Sequence, residues 1–282
     1  MSWYTEIACT NVAEFIEAID ETRSSYGIEL MVYRGLGDSD FDLRPTLYRE
    51  RFGDITFELN IVLDFMLISQ RAGLIIPPDA MSFIALYNSN TRSKLTTLLH
   101  EFVEHRNTYE YDVGNIAFAM ARHAKIPTRH LDCTWDPLVA AYFAGASAHA
   151  AYFDANEQSP EKIAVWALDY PSLRMNFGVI HHDWTHIPSL RNQQGLFIFD
   201  PTIDVESLDN CWTNAPSFEE PLSRIPFKNT NKKITLTFTP ANINELARYV
   251  TLRNICDWTM FPTHQNVRDA VMDRYENPSP EK

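Results

Sequence analysis

At 282 residues, 45% hydrophobic and 12% aromatic, the chain can bury a full core and does not read as disordered. Its formal net charge of -13 sets up a field that repels phosphate backbones, so non-specific nucleic-acid binding is not expected, although a local basic cleft is compatible with it. No apolar stretch approaches the roughly 18 residues of a membrane span, MSWYTEIACT has neither the basic nor the apolar region of a signal peptide, and Cys9, Cys133, Cys211 and Cys256 are scattered without a CxxC. These features point to a cytoplasmic protein with reduced thiols and no membrane partner.

In chain order, Thr10 or Asn11 can cap a first helix, VAEFIEAIDETR, whose apolar residues recur at helical spacing. LMVYRG reads as a short buried strand closed by Gly35 and Gly37. FELNIVLDFMLISQRA reads as a helix ended by Gly73 with Pro77 and Pro78, and SKLTTLLHEFVEHR as another, with Leu95, Leu98, Leu99, Phe102 and Val103 on one face. NIAFAMARHAKI is a third, which Pro127 stops. LDCT is a strand candidate, after which Asp136 and Pro137 open PLVAAYFA as cap and first-turn residue. Beyond about residue 160, KIAVWALD, GVIHHDW, GLFIFD and KKITLTF read as strands, before ANINELARYVTLRNI and NVRDAVMDRY close the chain as helices.

No repeat and no low-complexity linker divides this order. The expected fold class is α+β, a single domain with helical inserts first and a mixed or antiparallel sheet second. Residues 1–27 form an N-terminal helix region, 28–276 one compact unit, and 277–282 a frayed tail.

The segment between the third and fourth of these helices gathers Arg122, His123, Arg129, His130, Asp132 and Thr134. An unpaired polar group inside a core costs roughly 2–7 kcal/mol, so such residues either satisfy one another or await a ligand. Arg34 and Gly35 end the earlier strand, and the two blocks are expected to form two walls of one pocket. Each residue also has a structural reading. Arg34 can pair with Asp132 or Asp42. Arg129 and Asp132, three positions apart on an extended segment, face opposite sides; Asp132 is assigned to the pocket. His123 can serve a helix C-terminus or a ligand. Gly35 and Gly195 supply backbone room, and Tyr142, Phe143, Tyr152 and Phe153 read as core.

Other chemistries lack support. His181, His182 and His186 cluster without a Cys or Glu to complete a metal set, so no metal is assigned. Ser147 falls inside an apolar helix and not at a nucleophile elbow. Neither a P-loop nor a Rossmann fingerprint is present. Glu219 and Glu220 read as a solvated edge.

The quoted blocks carry a resemblance. YRG followed by SDFDLRPTLYR, then HAKIPTRHLDCTWDPLVAAYFA, then QQGLF, resembles the FRG domain family, whose motifs are an aromatic-Arg-Gly block, a block close to QHxGxPTRLLDWTxNPLVALxFA, and QxGxF. With MFPTHQNV as the closing segment the likeness reaches from about residue 28 to residue 270, so the unit at 28–276 is expected to be an FRG domain. The chain departs from the pattern at Arg122 for Gln, His130 for Leu, Cys133 for Trp and Asp136 for Asn.

The strand YRG and a strand ending in Thr134 before a helix of the form xxAxxFA are also similar to the ADP-ribosyltransferase fold. That likeness implies NAD as cofactor, Arg34 on its phosphates and Thr134 at the nicotinamide ribose. Tyr33, Gly35 and Arg129 are implied at the same cofactor, with His123 as a further candidate. Asp132 and Gln193 are the catalytic candidates, Gln193 standing where that fold presents a Glu. The implied function is a nucleotide-binding protein with ADP-ribosyltransferase or NAD-cleaving activity, an effector in microbial (phage) defence or a toxin, acting on a protein or nucleic-acid acceptor. The alternative is a non-catalytic module that recognises a nucleotide or protein partner.

Overall fold

A computed structural model describes residues 3–26, 30–49, 55–77, 80, 112–153, 159–180, 187–200, 217–223 and 230–276. Among the described residues, seven strands form one mixed, open sheet: β1 (Thr5–Cys9), β2 (Met31–Leu36), β3 (Leu131–Thr134), β4 (Lys162–Asp169), β5 (Gly178–Ile180), β6 (Gly195–Phe199) and β7 (Lys232–Thr237). Their spatial order is β1-β7-β4-β2-β3-β6-β5. Every neighbouring pair is antiparallel except β1 and β7, which run parallel with Thr5 beside Lys232 and Cys9 beside Leu236.

β4 shows why this chain makes a sheet covered on both faces. Ile163 to Leu168 are all buried, an unbroken apolar run of the kind that a strand needs when neither face meets water. Ile163, Val165 and Ala167 join one core with α1 (Val12–Tyr26). Ala164, Trp166 and Leu168 join a second core on the opposite face. The period of two thus assigns alternate residues to different layers.

The helices follow local signals. Asn11 Oδ1 accepts the Glu14 N–H at 3.0 Å, while Glu14 Oε2 accepts the Thr10 N–H at 2.9 Å, fixing the start of α1. α2 (Thr46–Arg49) is a single turn, and α3 (Ile55–Arg71) and α4 (Asp112–His123) pack together around Val62, Met66, Ala117 and Ala121. α4 ends at His123, and Lys125 then takes φ 65° to turn the chain toward β3. α5 (Pro137–Phe153) starts where Asp136 Oδ1 accepts the Leu138 N–H at 2.9 Å.

α5 lies against β2 so closely that a Cβ on Gly35 would sit 1.9 Å from the Ala140 carbonyl oxygen. Only glycine allows that approach. Six shorter or later helices complete the described chain: α6 (Tyr170–Asn176), α7 (Pro188–Asn192), α8 (Glu219–Ser223), α9 (Pro240–Thr251), α10 (Asp257–Met260) and α11 (His264–Glu276). None of the described helices is long and apolar enough to cross a membrane.

Two expectations need correction. The N-terminal region contains β1 before its helix; TEIAC is an edge strand with mostly exposed residues, so it lacks the apolar alternation that marks a half-buried strand. Nor do helices come first and sheet second. β1, β2 and β3 all precede residue 135, and the sheet interleaves them with strands from the second half. The expected helix SKLTTLLHEFVEHR, the residues HHDW and the tail NPSPEK lie outside the described residues.

Candidate functional site

A cavity of about 510 Å³ opens where β2, β3 and the start of β6 meet α2, the end of α4 and one face of α5. Its depth is occupied by an ionic cluster. Arg34, on β2, donates from Nη1 to the Asp132 carbonyl oxygen on β3 at 2.6 Å, and the same nitrogen lies 3.6 Å from Asp132 Oδ2. Arg122, in the last turn of α4, donates from Nε and Nη2 to the Asp132 carboxylate at 2.9 and 2.6 Å. The arrangement follows from antiparallel neighbours: with Tyr33 opposite Thr134, β2 brings Arg34 within reach of the Asp132 backbone on β3, and the last turn of α4 delivers a second guanidinium.

Burial works to raise the Asp132 pKa, but the Arg122 and Arg34 charges outweigh it and hold the carboxyl below its ordinary value. The Arg34 side chain is only 10% exposed, and burial draws its own pKa down. Its Nε has no hydrogen-bond partner among the described residues. The Asp132 side chain, although deep, is 42% exposed because it faces the open cavity.

Two more cations line the wall. Arg49 closes α2, with its Nε donating to the Arg44 carbonyl at 2.8 Å, and Lys125 sits on the turn after α4. Neither makes an ion pair among the described residues. Desolvation, then the like charges of Arg34 and Arg122, bring the Arg49 pKa down to about 10. Asp132 is the one carboxylate on the described wall, against Arg34, Arg49, Arg122 and Lys125.

The hydroxyl and amide groups nearby are engaged. Thr134 Oγ1 donates to the Gln193 carbonyl at 2.6 Å and accepts the Asp136 N–H at 3.0 Å. Gln193 Nε2 donates to the Met260 carbonyl at 3.0 Å. His123 Nε2 and Ser189 Oγ are 2.6 Å apart, and burial holds the imidazole pKa below its usual value. Cys133 is also on the wall, but burial pushes its thiol up to about 12, which leaves no thiolate nucleophile at neutral pH.

Of the residues singled out from the sequence, Tyr33, Arg34, Gly35, His123, Asp132, Thr134 and Gln193 all border this cavity. Tyr33 uses its hydroxyl elsewhere, 3.1 Å from Thr22 Oγ1, and its ring belongs to the core beneath α1 and α5. Arg129 is placed away from the wall. Its N–H and Nε donate to Glu58 at 2.7 and 2.6 Å, a buried pair linking the pre-β3 segment to α3. Beside it, His130 is packed among Phe118, Phe197 and Phe199, with neither ring nitrogen hydrogen-bonded among the described residues. The sequence reading passed over Arg49, Lys125 and Phe261 and assigned Phe143 to the core. Arg49 and Lys125 stand inside the motif blocks LRPTLYR and HAKIPTR, which was the available signal.

The family model of the FRG domain matches residues 29–153. The chain carries an FRG domain. No curated protein and no solved structure shows a significant match to it. The segment matching the FRG model supplies all four cations and the carboxylate of the cavity, whereas Leu190, Gln193, Gly195 and Phe261 border it from the remainder of the chain. No group of three or more metal-ligating side chains occurs among the described residues, and His181, His182 and His186 lie outside them.

Proposed function

We propose that the FRG cavity binds a phosphate-bearing nucleotide of the NAD type. The carrying observation is the excess of cations on the described wall, where Arg34, Arg49, Arg122 and Lys125 stand against one carboxylate, Asp132, in a chain of net charge -13. Like charges gathered in a partly desolvated site are costly unless an anion joins them. Guanidinium groups meet phosphate oxygens through paired N–H bonds, and Arg34 Nε has no acceptor among the described residues. A volume of about 510 Å³ lies within the range of small-molecule and cofactor sites. The residues fit NAD through its diphosphate, which Arg34, Arg49 and Arg122 would hold.

For a bound nucleotide, recognition is better supported than ADP-ribosyl transfer or NAD cleavage. Stabilising positive charge at a reacting ribose requires a preorganised, available anion. Asp132 is already held by Arg122 and Arg34, and Gln193 is neutral with its amide donated to Met260.

Titration calorimetry of the full chain with NAD, ADP-ribose and ADP tests binding. Arg34→Lys, which keeps the charge and loses the planar fork, should weaken binding by roughly 1–3 kcal/mol. No measurable binding of any of the three ligands to the wild type would remove the nucleotide reading. Nicotinamide release from NAD, followed for wild type, Gln193→Glu and Asp132→Asn, tests catalysis; release by the wild type would restore the enzyme reading.

A further inference from the structure

The cavity has two chemically different ends. Arg122 and His123 are consecutive at the end of α4 but turn to different partners, Arg122 to Asp132 and His123 to Ser189. The helix terminus thereby separates a cationic end from an aromatic one. At the aromatic end the rings of His123 and Phe261 are close to parallel, at 23° with centroids 6.2 Å apart. Phe143, from α5, meets Phe261 edge-on at 6.0 Å and 82°. All three border the cavity, and both phenylalanines remain only half-buried.

The wall that carries Phe261 is fixed before any ligand arrives. Its N–H donates to the Asp257 carbonyl at 2.8 Å and its carbonyl accepts from Asn266 Nδ2 at 2.8 Å. The residues before it are tied to the turn that leads into β6, since the Thr259 carbonyl accepts from Asn192 at 2.8 Å and the Met260 carbonyl from Gln193. The Tyr142 hydroxyl also donates to Asp257, joining α5 to α10. A backbone anchored this way has little freedom left to lose when a ring stacks on the Phe261 side chain, so more of the contact energy is retained on binding.

Resting on the nucleotide reading above, we propose that Phe261, Phe143 and His123 form a stacking wall for the planar base of the bound nucleotide. The FRG segment then holds the phosphates, and the part of the chain beyond residue 153 completes base recognition. A flat heteroaromatic ring is the occupant that fits, because it covers wet aromatic faces while remaining covalently joined to a group that the cationic end retains.

Calorimetry with AMP and with ribose 5-phosphate tests this, since the two probes share a phosphate monoester and differ by the base. Stacking on one aromatic side chain accounts for roughly tenfold or more in affinity. Phe261→Ala should therefore weaken AMP by about that factor and leave ribose 5-phosphate unchanged. Phe261→Tyr should retain AMP affinity, and Arg49→Gln should weaken both probes. Equal losses for both probes in Phe261→Ala, or no loss for either, would overturn the stacking wall. Intact binding of ribose 5-phosphate reports that the variant is folded; if Phe261→Ala does not fold, Phe143→Leu is read by the same ratio. A wild type that binds neither AMP, ADP nor NAD would overturn the nucleotide reading itself, a result distinct from loss of base discrimination.

Discussion

His130 and Arg129 are neighbours that handle burial in opposite ways. Arg129 is paired at 2.6 Å with the fully buried Glu58, whereas burial, followed by the nearby Arg129 charge, brings the His130 pKa down to about 3. The imidazole is thus neutral in the folded protein, and its value is depressed relative to an unfolded His near 6.5. An unfolded chain takes up a proton below that pH and the folded chain refuses it. Titration of His130 therefore leaves stability untouched above about pH 6.5 and lowers it progressively as pH falls toward 3. The slope is at most about 1.4 kcal/mol per pH unit for one proton. His130→Leu, the residue that the FRG pattern carries there, removes that proton and two ring nitrogens without hydrogen bonds among the described residues, Nδ1 lying 3.9 Å from Glu58 Oε1. It should raise stability by roughly 1–3 kcal/mol at neutral pH. Urea unfolding at about pH 7 and about pH 5 checks this; the variant should be the flatter of the two with pH. Asp132 acts in a lower window: its depressed pKa adds stability above the usual carboxylate range, lost as pH falls through the folded value.

At the scale of elements, the contact between β2 and α5 decides where the cavity can form. Gly35 faces the Ala140 carbonyl, and α5 presents Ala140, Ala141, Ala144 and Ala148 to the sheet. Gly35→Ala should push the helix from the strand and cost about 3 kcal/mol, the upper part of the overpacking range. The matched control is Gly195→Ala, whose added Cβ would meet Leu190 at an ordinary 3.4 Å. Chemical denaturation of the two variants reads the difference, and equal stability would show that the close approach relaxes freely. This pairing also shows which elements were legible. β2 and β4 announced themselves by their buried apolar runs, and α1 and α5 because Asn11 and Asp136 cap them. β1 and the single-turn helices were not legible, since they are held by neighbours rather than by their own pattern. The ionic half of the site was readable from Arg34 and Asp132 in their motifs. Phe261 was not, because nothing local to MFPTHQ reveals that Asn192 and Gln193 anchor the two residues before it, with its ring beside His123.

Across the whole molecule, the acidic surface and the basic cavity oppose each other at different ranges. The net charge of -13 repels an anionic ligand at a distance, while the cavity cations act within a few ångströms, where salt screens them less. Salt should therefore raise the association rate of a fluorescent nucleotide in stopped flow and raise its dissociation rate more. A steep fall in association rate with salt would show that the cavity field reaches beyond the surface. A different consequence follows from the strand order. β2 and β3, the two described strands in the FRG-matching segment, share one register pair, Tyr33 with Thr134; their long partners are β4 and β6, and β1 waits for β7. During synthesis the family's signature residues leave the ribosome long before the strands that shield them. The chain must hold Met31–Leu36 without its long partner until Lys162–Asp169 emerges, and Leu131–Thr134 until Gly195–Phe199 does, which makes it a high-contact-order folder with exposed edges in the interval. The segment that the FRG model matches, residues 29–153, thus ends before the strands with which β2 and β3 pair over most of their length.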